Sequence, residues 1–385
     1  MVYLDNAATS WPKPDSVYQT MDQFLRRCGG NPGRGGHSLA LAAAEKVEET
    51  RLLIARLMNA PEKERVVFTS NCTEALNLGL KGLLKPGDHV ITDCIGHNSL
   101  VRPLKKLENQ GVRMTRILPC FEGFLSPEEM EKAIIPETRL IVVTHASNVT
   151  GLIQPIDKYG AIAKKHGLIF MVDAAQTAGM YPIDVRTNNI DLFASSGHKG
   201  LFGPPGTGVL YLSERVDLEP LREGGTGIFS ELEDQPQTLP YKYESGTLNT
   251  VGIAGLGAGI KFLFQEGREK IQSKVHFLRE HLNKGLAQIP GVILYYQPEG
   301  SLKQGAVVSF NLKGWEPAEV GVVLDQAFEI KVRTGLHCAP VAHKTLGTYP
   351  QGTVRISPGY FNTLEEVNFT LEAVSKIARL KLFNN

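Results

Sequence analysis

Lys199 lies in a segment whose composition suits a reactive amine. It stands within "SSGHKGLFGPPG", between the apolar runs "IDLFA" and "GVLYL". The glycines on both sides let the backbone approach a ligand closely, and Ser195, Ser196 and His198 supply hydrogen-bond donors of the kind that bind phosphate. A lysine desolvated among such neighbours can form a Schiff base with a carbonyl group. The alternative is an ordinary surface lysine at a turn.

Asp173 ends the apolar run "LIFMVD" upstream of this lysine. A carboxylate at the C-terminal end of a parallel strand lies at the edge where open α/β sheets bind ligands; otherwise it would be a helix N-cap or a turn residue. A pyridoxal phosphate site needs a lysine for the aldehyde and a carboxylate that keeps the pyridine nitrogen protonated, so that the ring acts as an electron sink. The pair therefore favours pyridoxal 5'-phosphate as a cofactor.

Cys338, in "RTGLHCAP", could be a buried apolar residue, a metal ligand or a nucleophile. Free cysteine is among the most buried residue types, which favours the first interpretation. His337 and His343 stand nearby, but no fourth ligand is evident, which argues against a metal. Cationic neighbours favour the reactive thiolate, and Arg333 and His337 are candidates for that role. The local sequence alone leaves these alternatives open.

Strand-like and helix-like patterns alternate from about residue 65 to residue 212. Apolar runs such as "RVVFTS", "HVITD" and "RLIVVTHA" are separated by amphipathic stretches, which predicts βαβ units and a mostly parallel sheet with helices on both faces. From about residue 252 a long helical pattern leads to a second region with the strand-like runs "GAVVSFNL" and "TVRIS". The length of 385 residues also indicates about two domains.

The composition excludes several function classes. With 41 basic and 40 acidic residues, the net charge of +1 gives no reason to expect a nucleic acid or an anionic membrane as partner. Five cysteines without a CxxC pair argue against a disulfide framework and favour a reducing compartment. No apolar run has the length of a membrane span, and the N-terminal residues do not resemble a signal peptide. We expect a cytoplasmic protein.

Taken together, "SSGHK" and "RTGLHC" resemble the class V aminotransferase family of pyridoxal-phosphate enzymes, in particular its cysteine desulfurases and selenocysteine lyases. The resemblance extends from "YLDNAAT" at Tyr3 to "FNTLEEV" at Phe361. It implies an α/β fold-type I pyridoxal-phosphate-dependent transferase. A large domain, 15–255, would contain a mostly parallel seven-stranded-type sheet flanked by helices. Residues 1–14 and 256–385 would form a smaller α+β domain carrying Cys338 and Arg355.

The resemblance also implies roles around the cofactor ring. Lys199 would carry the cofactor and move the Cα proton, Asp173 would pair with the pyridinium nitrogen, and Gln176 would bond the ring hydroxyl. His97 would stack on the ring and serve as an acid–base group. Asn148 would contact the ring or the substrate.

The phosphate of the cofactor would be bound at a helix N-terminus. In "VVFTSNCTEALN" a strand turns into a helix, and backbone N–H groups at such a point bind anions. The residues that the resemblance assigns to the phosphate are Cys72, Thr73, Ser196 and His198, with Gly246 and Thr247 reaching it from the other subunit of a homodimer.

The implied reaction converts L-cysteine to L-alanine. Arg355 matches the arginine that binds the substrate carboxylate, a contact that suits a planar guanidinium, and Arg34 and His37 match a segment at the site entrance. Cys338 would take the sulfur as a persulfide and pass it to an acceptor, for which another protein is a candidate. Leu336 stands where some relatives have a second histidine.

Three rival interpretations use much of the same site. A selenocysteine lyase would act on L-selenocysteine with the same residues. A class V transaminase or epimerase would need no nucleophilic cysteine. A catalytically idle cofactor-binding scaffold would serve a partner protein. None of these readings involves a metal.

Overall fold

The short apolar runs of the sequence form strands, which belong to three sheets. The amphipathic stretches between them form helices. A computed structural model of the chain describes residues 1–33, 35–119, 123–295 and 304–382. The strands in these ranges are β1 (Val2–Tyr3), β2 (Val66–Thr69), β3 (His89–Asp93), β4 (Arg113–Ile117), β5 (Thr138–Thr144), β6 (Ile169–Asp173), β7 (Leu192–Ser196), β8 (Gly208–Leu212), β9 (Val292–Leu294), β10 (Val308–Leu312), β11 (Ile330–Lys331), β12 (Arg333–Gly335) and β13 (Thr353–Ile356).

The helices occupy the stretches where apolar residues recur at helical spacing. They are α1 (Asp15–Arg27), α2 (Ser38–Leu57), α3 (Cys72–Leu83), α4 (Asn98–Glu108), α5 (Pro127–Lys132), α6 (Ile156–Lys165), α7 (Thr250–Glu266), α8 (Arg268–Ala287), α9 (Pro317–Phe328), α10 (Pro340–Thr345) and α11 (Leu364–Leu382). Within the described ranges, none of them combines the length and apolar character needed to cross a lipid bilayer.

The largest sheet has seven strands in the order β2-β8-β7-β6-β5-β3-β4. Strands β3 to β7 run parallel to one another, and β8 is antiparallel to both of its neighbours. The prediction of a mostly parallel sheet flanked by helices is thereby confirmed.

Both faces of this sheet are buried, which explains why its strands read as continuous apolar runs. In β5, Ile141 and Val143 pack into one hydrophobic core, whereas Leu140 and Val142 pack into the core on the opposite face. Alternate side chains of a strand point to opposite faces, so a sheet covered by helices on both sides needs apolar residues at every position.

The second region of the molecule has a core of its own around a four-stranded antiparallel sheet, with strand order β12-β13-β10-β9. Its buried residues come from these strands and from α8, α9 and α11. Strand β1 joins this part of the molecule by pairing in parallel with β11, Val2 opposite Ile330. The two ends of the chain therefore meet in one hydrophobic core.

The boundary between the two regions runs through a continuous element. Helix α7 passes through residue 255 without interruption and packs against α1 and α2. The predicted division into 15–255 and 1–14 with 256–385 therefore stays a prediction, although each region has a core of its own.

Candidate active site

A cavity of about 220 Å³ opens at the carboxyl edge of the large sheet, where β6 and β7 end. This is the edge at which α/β sheets bind ligands. Residues from distant parts of the sequence meet there. The predicted site residues among its lining are Cys72, Thr73, His97, Asn148, Asp173, Gln176, Ser196, His198, Lys199 and Arg355.

Lys199 and Asp173 form the charged centre of this cavity. Asp173 is buried at the end of β6, and its Oδ1 accepts a hydrogen bond of 3.0 Å from the backbone N–H of Ala175. Burial raises the pKa of Asp173, against the pull of that N–H and of the Lys199 charge. Burial likewise lowers the pKa of the Lys199 amine. A lysine with a lowered pKa is more often neutral, and the neutral amine is the form that attacks a carbonyl.

His97 enters the cavity as a neutral ring with a defined tautomer. It is the N-cap of α4, and its Nδ1 accepts a 3.1 Å hydrogen bond from the backbone N–H of Ser99, with the Ser99 hydroxyl 2.7 Å away. A backbone N–H can only donate, so Nδ1 carries the lone pair and Nε2 carries the proton. Burial and the nearby charges of Lys199 and Arg333 lower the pKa of His97 to about 4. His97 is therefore a hydrogen-bond donor through Nε2 at neutral pH.

One end of the cavity is suited to an anion. Helix α3 begins there with Cys72 and Thr73, and the Asn71 side chain caps it by accepting from the Glu74 N–H at 2.9 Å. The positive end of a helix and its free N–H groups bind negative charge. Two further polar atoms of the lining, Ser196 Oγ and His198 Nδ1, are buried without a partner in the part of the chain that the structure describes.

Gln176 and Asn148 are fixed by backbone carbonyl groups. Gln176 Nε2 donates to the Ala7 carbonyl at 3.0 Å, and Asn148 Nδ2 donates to the His337 carbonyl at 2.8 Å. Asn148 Oδ1 is buried and has no partner within the described ranges. The Asn148 side chain thus connects the cavity to the loop that carries Cys338.

Arg355 lies on β13 and is completely buried. Its Nη2 donates to Asp5 Oδ1 at 2.7 Å and its Nη1 donates to the Asn148 carbonyl at 3.0 Å, whereas Nε has no partner among the described residues. Since a buried donor without a partner is costly, an acceptor group bound in the cavity would be stabilised by a hydrogen bond from Arg355 Nε.

Cys338 is exposed on the loop between β12 and α10, next to this cavity. The Arg333 guanidinium, which lines the cavity, donates to Cys338 Sγ at 3.1 Å. The backbone N–H of Asn98 donates to the Cys338 carbonyl at 2.7 Å. Cys338 has a φ of 58° and His337 has a φ of 49°. Two successive residues in the left-handed region are unfavourable without glycine, so outside contacts must hold this loop.

The positive charge beside Cys338 comes from Arg333, not from His337. The His337 ring is buried, and its Nε2 lies 2.9 Å from Thr353 Oγ1. Burial, together with the charge of Arg355, lowers the pKa of His337 to about 2, so the ring is neutral. His337 stabilises the loop through its contact with Thr353. Of the two residues expected to supply positive charge next to Cys338, Arg333 does so and His337 does not.

Several predicted residues do not line the cavity. Arg34 lies outside the described residues. His37 is exposed at the N-cap of α2 and accepts from the Ala40 N–H at 3.3 Å. Gly246 and Thr247 line a different cavity, of about 130 Å³. Roles for His37, Gly246 and Thr247 therefore stay predictions that concern contacts beyond this cavity.

Sequence reasoning misses the N-terminal segment as part of the site. Asp5 binds Arg355, and the Lys13 ammonium donates at 2.8 Å to the His198 carbonyl, next to Lys199. The block "YLDNAAT" entered the resemblance, yet nothing in its spacing places a carboxylate against an arginine 350 residues later. The pairing of β1 with β11 and the bridge between Asp5 and Ser357 bring them together.

The fold is that of an α/β enzyme, and Lys199 lies in the cavity at the carboxyl edge of its large sheet. The chain belongs to the class-V aminotransferase family, whose model matches residues 2–369. It is 38% identical to a probable cysteine desulfurase from Methanothermobacter thermautotrophicus over 98% of this chain and 94% of that protein. It is 34% identical to a cysteine desulfurase from Salmonella agona, over 99% and 94% of the two chains.

Solved structures give the same result. The structure of a cysteine desulfurase from Thermococcus onnurineus, determined in its apo form, has a TM-score of 0.91 and 37% identity, covering 98% of this chain and 94% of that one. The architecture is therefore that of fold-type I enzymes, as the sequence resemblance implied.

Proposed function

We propose that the protein is a cysteine desulfurase, which converts L-cysteine to L-alanine and takes up the sulfur as a persulfide on Cys338. The observation that carries this proposal is the position of Cys338 Sγ, 3.1 Å from the guanidinium of Arg333, which lines the cavity of Lys199. A transaminase or an epimerase has no use for an exposed thiol in this place. The names of the relatives support the same activity.

The donor set of the cavity fits pyridoxal 5'-phosphate. The phosphate would take the unpartnered Ser196 Oγ and His198 Nδ1 together with the first N–H groups of α3. Asp173 would face the ring nitrogen, and Gln176 would lie near the ring hydroxyl. When bound, the cofactor supplies an electron sink for the carbon atoms next to the substrate amine.

The protein groups would divide the remaining work. Arg355 would hold the substrate carboxylate, using the Nε donor that has no partner in the described structure. Lys199, with a lowered pKa, would accept the Cα proton and return it. His97 would orient the substrate through its Nε2–H, because its low pKa makes it a poor base.

The sulfur transfer would take place at Cys338. The thiolate Sγ attacks the substrate sulfur, an S–S bond forms, and the Cβ–S bond breaks with its electron pair left on carbon. That carbon is then protonated, so an enzyme thiol and cysteine give an enzyme persulfide and alanine. A reductant or an acceptor protein would return Cys338 to the thiol. The Arg333 hydrogen bond suits a sulfur that carries negative charge.

We also propose a homodimer with shared sites. Gly246 and Thr247 lie at an exposed part of the surface away from the cavity of their own chain, which leaves them free to approach that of a second copy. A cytoplasmic location accompanies this proposal, since an exposed reactive thiol persists best in a reducing compartment.

The test incubates the purified protein with L-cysteine and a reductant, and measures alanine and sulfide together. The parent protein should release both in equal amounts, Cys338→Ala should release neither, and Cys72→Ala should behave as the parent. Alanine release by Cys338→Ala at the parental rate would contradict the proposal. Competition with L-selenocysteine distinguishes a desulfurase from a lyase, because a lyase would prefer the selenium substrate.

A further inference from the structure

A second buried carboxylate lies beneath the cavity, and the mechanism above does not use it. Asp93 is the last residue of β3 and is 2% exposed. Its Oδ1 accepts from the Ile95 N–H at 2.9 Å and its Oδ2 accepts from the Thr144 N–H at 2.6 Å. No cation forms an ion pair with it in the described ranges of the chain. A buried charge without a counter-ion is costly, so its retention needs a reason.

The position of Asp93 in the sheet suggests that reason. Strands β3 and β5 pair through His89, Val90 and Ile91, and their ladder ends before Asp93. Beyond that point, hydrogen bonds to the Asp93 carboxylate replace the backbone ladder as the link between the ends of β3 and β5. One oxygen binds the end of β5 at Thr144, and the other binds the loop that leaves β3.

That loop carries two groups of the candidate active site. His97 lines the cavity, and the N–H of Asn98 donates to the Cys338 carbonyl at 2.7 Å. The loop is closely packed, because a Cβ on Gly96 would come within 3.1 Å of Asp93 Oδ1. A change at Asp93 would therefore be transmitted to both His97 and the backbone of Cys338.

We propose that Asp93 is a positioning residue: its ionised carboxylate holds residues 94–98 against the end of β5, and so fixes His97 in the cavity and the backbone of Cys338 beside it. The inference rests on the proposed function for its catalytic consequence. The positional claim itself concerns only residues of this chain.

Protonation of the Asp93 carboxylate would weaken its hold on residues 94–98. A protonated carboxyl group keeps one acceptor oxygen, but its hydroxyl meets an N–H donor, so one of the two backbone hydrogen bonds is lost. Burial raises the pKa of Asp93 to about 6, against the two N–H donors, and the charge of Asp173 on β6 adds to the rise. The other groups nearby are the Cys94 thiol, on which Asp93 and Arg116 of β4 act, and Lys199, which faces Asp173.

Asp93→Asn is the isosteric counterpart of the protonated form, because its amide group also places a donor against an N–H. Thr92→Val is the matched control on the same strand, since Thr92 Oγ1 is buried without a partner among the described residues. At pH 8, Asp93→Asn should release alanine at least about tenfold more slowly than the parent, a loss of about 1.4 kcal/mol in transition-state stabilisation. Thr92→Val should keep the parental rate.

The pH profile separates this role from simple loss of structure. As Asp93 is protonated below about pH 6, the parental kcat should fall by the same factor of about ten and then level off. Asp93→Asn should lack this limb and approach the parental rate only at low pH. Its thermal midpoint at pH 8 should equal or exceed the parental one, since it no longer buries a charge.

Hydrogen–deuterium exchange of the cofactor-free protein tests the positional claim without activity. Residues 94–98 should exchange several-fold faster in Asp93→Asn than in the parent, and Thr92→Val should match the parent. Should Asp93→Asn not fold, the parent itself must show the same acceleration below pH 6, after correction for the intrinsic rate. A parent that releases no alanine would refute the proposed function, and exchange alone would then decide this inference. Parental exchange and a parental pH profile in Asp93→Asn would overturn it.

Discussion

Two thiols lie next to the same cavity in opposite surroundings. Cys72 is buried at the start of α3, and its Sγ donates to Asp173 Oδ1 at 3.6 Å. Burial and the Asp173 charge raise its pKa well above the ordinary value. Cys338 is exposed, and its Sγ accepts from the Arg333 guanidinium. Both cysteines are close to the cavity, but only Cys338 combines a neighbouring cation with access to solvent, the surroundings that favour a reactive thiol.

The backbone around the two residues differs in the same way. Cys72 belongs to a regular helix that supplies its own hydrogen bonds. The Cys338 loop has left-handed backbone angles and is held by contacts from elsewhere, namely Asn98, Asn148 and the Thr353 contact to His337. The buried thiol is therefore held by local structure, whereas the exposed thiol depends on tertiary structure.

The largest loss of alanine release is expected on substitution of Lys199, in the cavity next to which both thiols lie. Lys199→Ala should lower alanine release by about a thousandfold or more, because it removes the proposed acid–base group. The visible absorbance of the lysine-bound cofactor should disappear at the same time. Lys242→Met is a control, since Lys242 is a buried lysine that pairs with Asp217 and does not line the cavity. Equal spectra for Lys199→Ala and the parent would contradict the assignment.

Removing the cation should make Cys338 more like Cys72. Arg333→Met should lower kcat by about 10- to 100-fold, because a charge-assisted hydrogen bond to Sγ is lost. Arg333→Lys should retain part of the activity. The measurement is cysteine-dependent alanine release with the cofactor spectrum as a check. A parental kcat in Arg333→Met, with cofactor bound, would show that this contact is dispensable.

The histidines around the two thiols should make the fold sensitive to acid. The pKa values of His97 and His198 are lowered to about 4, mainly by burial. The unfolded chain binds protons more readily than the folded chain. The contribution of these neutral histidines to the free energy of unfolding should therefore be complete above about pH 6.5. It should fall toward pH 4 by at most about 1.4 kcal/mol per pH unit for each histidine.

Urea denaturation of the cofactor-free protein at several pH values measures this dependence. Asp93 and Asp173, whose pKa values are raised, act in the opposite direction, and Asp93→Asn removes the first of these contributions. A free energy of unfolding that rises as the pH drops from 6.5 to 4 would contradict the neutral state assigned to His97 and His198.

The smallest effect is expected at Cys72. Cys72→Ala should change kcat by no more than about threefold, because α3 would still present its backbone N–H groups. Its thermal midpoint should fall slightly, since the substitution removes buried volume. A loss of alanine release as large as that of Cys338→Ala would erase the distinction between the two thiols.

The sequence predicts those features of the site that depend on short continuous segments of the chain. The Lys199 and Asp173 segments are strand ends followed by turns, and parallel strands place such ends at one edge. The role of Cys338 comes from the family resemblance, because the local sequence leaves a buried residue, a metal ligand and a nucleophile open, and this role stays a prediction.

Contacts between distant segments could not be predicted. The Asp5–Arg355 ion pair depends on the contacts of the N-terminal segment with β11 and with Ser357, and the Asn98–Cys338 hydrogen bond joins two distant segments. Nor does the sequence "HVITD" reveal that Asp93 continues a strand ladder which has ended. Such functions depend on register and on loop approach, which a single sequence does not specify.

The most direct test of the central claim identifies the sulfur that Cys338 carries. The parent protein is mixed with a small excess of L-cysteine without reductant, quenched by alkylation, digested, and analysed by mass spectrometry. We expect one added sulfur atom on the peptide containing Cys338, one alanine released per sulfur, and unmodified Cys72. Alanine release with no sulfur on Cys338, or with the added sulfur on another cysteine, would contradict it.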